Sequence, residues 1–168
     1  MAAEMLRIEI KADQVKAALS RLRSTMPDGG DMTPVMKSLG RVLLTGTQLR
    51  FRSGKGPDGQ SWKVSMRAAL QAGQTLRDSG ALLGSITYEA GNGIVAIGTN
   101  MVYARIHQFG GTIKAKNAKA LAFRLPGGGF AKVKAVTLPP RPFLGASDSD
   151  QTELLRVLQS HYDGLWSQ

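Results

Sequence analysis

Two histidines, no cysteine and twelve carboxylates are the side chains this 168-residue chain offers for metal binding or for a catalytic acid–base pair. His107 is the first candidate, within Tyr103-Ala-Arg-Ile-His-Gln-Phe-Gly-Gly111. On a helix it shares a face with Tyr103, four residues earlier. A catalytic histidine needs a nucleophile and an orienting acid, and a metal site needs further ligands at set spacing. Neither pattern surrounds His107, so it reads as a histidine hydrogen-bonded near the core or at an interface. Asp148 and Asp150 stand close together, but the helix dipole already explains acidic residues at a helix amino terminus. Gly127-Gly-Gly129 lacks the Gly-Lys-Ser/Thr and following helix of a phosphate-binding loop and reads as a flexible tip. Without cysteine there are no disulfides or thiolate sites. The expectation is no catalytic residue, no metal and no cofactor.

What these phrases offer instead is architecture. Tyr103, Ile106 and His107 lie at helical spacing on one side, and Gly110-Gly111 can take the positive φ that ends a helix. Pro139-Pro-Arg-Pro-Phe-Leu-Gly145 is a rigid elbow: three prolines fix φ and remove donors, so Phe143 and Leu144 arrive at a set place without regular structure.

The elements that position these phrases follow from periodicity. Residues 5–10 alternate as a short strand. Asp13 stands as an N-cap before Val15, Leu19, Leu22 and Met26, a helical stripe broken by Pro27-Asp-Gly-Gly30. Thr33-Pro34 starts a second helix, with Thr33 as cap and Val35, Leu39, Val42, Leu43 and Leu49 as its apolar face, running to about Phe51. Gly40 and Gly46 would each weaken it by roughly 1 kcal/mol relative to alanine, so they mark close approach of another element. Residues 53–62 form a loop with turn chemistry at Pro57-Asp58-Gly59, and Trp62 anchors it, either on the core or against a neighbouring subunit. Residues 66–72 suit a short helix, and Asp78 or Ser79 caps another through Leu82 and Leu83. Residues 85–98 read as a β-hairpin turning at Gly91-Asn-Gly93. Residues 120–125 and 132–137 look like a second, basic hairpin. Asp150-Gln-Thr-Glu153 resembles a capping arrangement before a closing helix lined by Leu154, Leu155, Leu158, Tyr162 and Leu165. The fold class expected is α+β: an antiparallel sheet with helices packed on one face, a long basic hairpin and a C-terminal helix. The whole of 1–168 is expected to be one domain.

The net charge is +10, and its placement says more than its size. No acidic residue occurs between Glu89 and Asp148, while Arg105, Lys114, Lys116, Lys119, Arg124, Lys132, Lys134 and Arg141 all fall there. Such a single-sign region attracts phosphate backbone or an acidic protein surface, or simply keeps the chain solvated. Without helix-turn-helix or zinc-finger spacing, and with only Phe123 and Phe130 interleaved, sequence-specific DNA reading is not expected. No apolar run is long enough to span a membrane, and the first residues lack a signal peptide's pattern, so a cytoplasmic site of synthesis is expected.

Five short phrases fall in an order that resembles the phage virion morphogenesis family, the tail-completion proteins of contractile and Mu-like phages. They are Phe51 with Gly56-Pro-Asp-Gly-Gln-Ser-Trp62, Leu76-Arg-Asp-Ser-Gly-Ala-Leu-Leu-Gly-Ser-Ile86, Ile97-Gly-Thr99, Tyr103-Ala104 with His107-Gln-Phe-Gly110, and Arg141-Pro-Phe-Leu-Gly145. Ser79-Gly80 replaces the family's usual Thr-Gly, and nothing in 114–134 matches. The resemblance implies a non-enzymatic virion component, assembled in the host cytoplasm, that completes the tail or neck and joins it to the DNA-filled head. A capsid-assembly factor, or outside that class a nonspecific basic DNA-binding module, is the alternative. Its partners would be copies of itself in a hexameric or dodecameric ring, and neighbouring portal, connector, tail-tube or terminator proteins. Subunit contacts are then expected at Trp62, Tyr103, His107, Gln108, Phe109, Arg141 and Phe143. Lys114, Lys116, Lys119, Arg124, Lys132 and Lys134 would face DNA in the channel or an acidic partner.

Overall fold

The computed structural model of the chain describes residues 6–7, 13–26, 30–116 and 119–165. Its elements run β1 (Leu6–Arg7), α1 (Asp13–Thr25), α2 (Thr33–Ser53), α3 (Met66–Leu70), α4 (Ala81–Gly84), β2 (Thr87–Gly91), β3 (Ile94–Thr99), α5 (Ala104–Phe109), β4 (Gly111–Lys114), β5 (Leu121–Arg124), β6 (Phe130–Val133), β7 (Ala135–Leu138) and α6 (Asp148–Leu165). The class is α+β, as expected, with a C-terminal helix. The antiparallel pairing is divided among a three-stranded sheet, β1-β3-β2, and two separate ribbons, β4-β7 and β5-β6. Of the strand expected over 5–10, Leu6 and Arg7 are seen pairing with Thr99 and Gly98; the rest lies outside the described residues.

Helix α2 is the spine. One side lies on β2 and β3, and α6 packs against both α2 and α1. Val35, Met36, Leu39, Leu43 and Phe51 of α2 are buried with Val15, Leu22, Leu82, Ile86, Ile97, Leu154 and Leu158. At roughly 1.5–3 kcal/mol per fully buried large side chain, this cluster supplies the main drive to fold. Leu49, expected on that face, is instead exposed. Its place on the stripe is taken by Arg50, which is buried together with Thr47. The cap of α2 also differs from expectation: Thr33 is already helical, and its backbone N–H donates to Asp31 Oδ1 at 2.9 Å. At the other end Gly54 takes φ 68° and its N–H closes on Arg50 O at 2.8 Å.

Both glycines inside α2 mark close approach. A Cβ at Gly40 would lie 2.2 Å from the Tyr88 ring on β2, and one at Gly46 would lie 2.0 Å from Asp150 Oδ1 on α6. The helix therefore gives up propensity at two points so that a sheet and a carboxylate can lie directly on its backbone. The β2-β3 hairpin forms as its sequence predicts, Thr87 opposite Gly98 through Gly91 opposite Ile94. Its turn residue Asn92 accepts a hydrogen bond from Met32 N at 3.1 Å, tying the turn to the start of α2.

The basic hairpin is a two-tier arm. β4 and β7 form the base, with Thr112 opposite Thr137 and Ile113 opposite Val136. β5 and β6 form the tip tier, with Leu121 opposite Val133 and Arg124 opposite Phe130. The single strand expected over 132–137 is thus split at Lys134, because its two halves pair with different strands.

Candidate functional site

The elbow is the polar centre of the molecule. Three prolines deny residues 139–145 a ladder of their own, and buried peptide groups must find partners, so side chains from three other elements supply them. Arg50 donates from Nε to Phe143 O at 2.9 Å and from Nη2 to Gly145 O at 2.6 Å. Gln108 accepts from Phe143 N and Leu144 N, both at 3.0 Å, and donates to Leu144 O at 3.0 Å. Trp62 Nε1 donates to Pro142 O at 2.9 Å. Arg141 reaches the other way, from its Nε to Lys63 O at 2.8 Å, while its N–H donates to His107 O at 2.7 Å. Phe143 completes the join with its ring 5.5 Å from Phe51, which meets Trp62 edge-on at the same distance.

Arg50 also pairs with Asp150 at 2.5 Å, both side chains being almost fully buried. Asp150 in turn accepts from Ser147 N and Ser147 Oγ, and Ser147 Oγ accepts from Asp150 N at 3.2 Å. This reciprocal arrangement is a capping box shifted from the expected position: Ser147 is the cap and Asp150 the residue that reaches back. One carboxylate therefore starts α6, holds the guanidinium that shapes the elbow, and fills the space left by Gly46.

The expected contact residues divide on this geometry. Trp62, Gln108, Arg141 and Phe143 are enclosed by the chain's own fold, where their polar atoms and rings are used to hold the elbow. Within the protomer they expose little surface of their own; what they present outward is the shape they fix. The buried side of α5 is Ala104 and Gln108, not the expected Tyr103, Ile106 and His107 side, because the elbow needs the amide of Gln108. Tyr103 and Phe109 remain 39% and 53% exposed, beside Val102 at 89%. The Arg105 guanidinium lies over Phe109, 5.5 Å from the ring centre.

His107 sits between these two sides. Its ring meets Tyr103 edge-on at 5.9 Å, and its buried Nδ1 has no hydrogen-bond partner. Burial first, and the positive charge of Arg141 second, push its pKa below the usual histidine value, which keeps it neutral at pH 7. Among the described residues no group of three or more His, Cys, Asp or Glu side chains is placed to hold a metal, and no helix is long and apolar enough to cross a membrane.

In the arm, residues directly opposite one another share a face. Thr112, Thr137 and Lys114 fall on one side of the base tier, with Ile113 and Val136 on the other. Ala122, Lys132, Arg124 and Phe130 share one side of the tip tier, and Leu121, Val133, Phe123 and Ala131 the other. Lys116, Lys119 and Lys134 lie at the joint between tiers. All six expected cations are exposed, and none forms an ion pair among the described residues.

The molecule is therefore an α+β body built around a cross-braced elbow, with an exposed apolar edge at α5 and a cationic arm. The profile of the phage virion morphogenesis family matches residues 10–163, and this chain belongs to that family. It is 30% identical over 162 residues to the Mu-like prophage FluMu G protein 2 of Haemophilus influenzae, covering 96% of this chain and 99% of that one. No solved structure matches the chain.

Proposed function

We propose that the chain is a non-enzymatic structural protein of the phage particle that completes the tail at the neck and joins it to the filled head, acting as a ring of its own copies. Membership of the phage virion morphogenesis family supports a role in particle assembly. The observation that carries the mechanical part is the use of the molecule's buried polar side chains. Arg50, Gln108 and Asp150 are engaged in bracing the elbow, which suits a part that transmits load between neighbours. Rings close through heterologous contacts, one patch on a subunit meeting a different patch on the next. The exposed edge Val102, Tyr103 and Phe109 supplies one such patch, and the 54–61 loop, held by Trp62, supplies another. The partners in this reading are further copies in a hexamer or dodecamer, and the adjoining portal, connector or tail-tube proteins, in a single domain spanning the chain.

Phe109→Asp tests the reading. The side chain is half exposed, so the isolated variant keeps the parent's melting temperature, while a phage that depends on it accumulates filled heads and unattached tails. Normal yields of joined particles from Phe109→Asp would remove this edge from the contact.

A further inference from the structure

The arm carries a surface that elbow and α5 leave unexplained. Lys114 stands on the polar side of the base tier, Arg124 and Lys132 share a side of the tip tier, and Lys116, Lys119 and Lys134 sit at the joint. We propose that this basic surface binds the phosphate backbone of duplex DNA without reading its sequence.

Three observations favour DNA over an acidic protein. The first is the choice of cation. Four arginines outside the arm make directed contacts: Arg50 with Asp150 and two carbonyls, Arg141 with Lys63 O, Arg67 with Asp78, Arg156 with Glu153. In the arm five of six cations are lysine, half of the chain's ten. Lysine is depleted at protein–protein interfaces, where arginine is enriched. Its ammonium is a flexible point charge that binds phosphate without a fixed geometry, as contact with a backbone of any sequence requires. The second is freedom: the arm cations have no partner among the described residues, and no acidic residue occurs from 90 to 147 to oppose a polyanion. The third is shape, since a two-stranded ribbon is one of the elements the roughly 12 Å major groove admits. On the tip face Arg124 and Lys132 stand with alanine and the apolar, 75% exposed Phe130, and no side chain among the described residues braces either cation toward a base edge, so phosphate charge is what they meet.

The inference needs only that DNA come within reach, and it is measured on the isolated chain, so its failure leaves the joining role standing and the reverse also holds. Fluorescence anisotropy with a labelled random-sequence duplex, titrated at several salt concentrations, gives the slope of log affinity against log salt. Six phosphate contacts predict a slope near about −5, a loss of roughly a thousandfold between 50 and 200 mM salt. With Lys114, Lys116, Lys132 and Lys134 changed to glutamine, two contacts remain, and the slope falls to about −2, roughly a tenfold loss. A control with the same charge removed elsewhere, at Arg23, Lys37, Arg41 and Lys63, keeps the parent slope. Matching melting temperatures establish that both variants are folded. The proposal is overturned by no binding at 50 mM salt, by equal losses in arm variant and control, or by poly-glutamate competing as well as unlabelled duplex of equal charge. That last result would assign the arm to an acidic protein surface instead.

Discussion

Replacing Arg50 by methionine removes the side chain that joins α2, the elbow and the start of α6, while keeping most of its volume. Four hydrogen bonds go with it: to Asp150 Oδ2, Phe143 O, Gly145 O and Thr47 Oγ1. The Asp150 carboxylate is left with Ser147 as its remaining support, at a site where only 8% of its side chain sees solvent. Stranding one member of a buried pair costs about 3–5 kcal/mol. For a chain of this size each kcal/mol lowers the melting temperature by roughly 2–4 °C, which puts the fall at about 6–20 °C. Urea unfolding followed by circular dichroism measures the free-energy loss, and thermal unfolding the shift in melting temperature. The double variant Arg50→Met/Asp150→Leu strands no charge and should recover part of the loss, though the two carbonyls stay without donors. If Arg50→Met unfolds within about 1 kcal/mol of the parent, the elbow is not held by this clasp and the reasoning fails.

Two further outcomes follow from the same core. Gly46→Ala improves helix propensity by about 1 kcal/mol, yet its Cβ would lie 2.0 Å from Asp150 Oδ1; overpacking of roughly 1–3 kcal/mol should win, and a denaturation midpoint equal to or above the parent's would show that α6 shifts freely. His107 is held below the usual histidine pKa by burial and by Arg141, so the stability tied to its neutral form is present above the unfolded value near 6.5 and is lost as pH falls through the lower folded value. Between pH 7.5 and 5 the parent should therefore lose more stability than His107→Gln; parallel curves for the two would contradict this.

The elements with strong local signals were legible from residues alone. The β2-β3 hairpin, the Gly-Gly end of α5 and the close approaches at Gly40 and Gly46 all follow from turn chemistry and propensity. The clasp was not, because it joins residues a hundred positions apart: Arg50 reads as a polar end to an apolar stripe until Asp150 is seen against it. A signal did exist. Arg50 falls on the buried spacing of Leu39, Leu43 and Thr47, and a proline-rich elbow must draw its hydrogen bonds from side chains elsewhere. The same elbow explains why Gln108 turns inward and Tyr103 stays exposed, where helical spacing alone set Tyr103, Ile106 and His107 on the apolar side. The arm's division at Lys134 was hidden because both halves are equally strand-forming, and only pairing partners separate them.

The central claim, that this family member joins filled heads to completed tails, is tested most directly by electron microscopy of lysates from a phage lacking the gene. Counting the particles should give filled heads beside separate tails, with joined particles restored when the chain is supplied in trans. Missing or malformed heads would move the role to capsid assembly, and normal joined, infectious particles would contradict both.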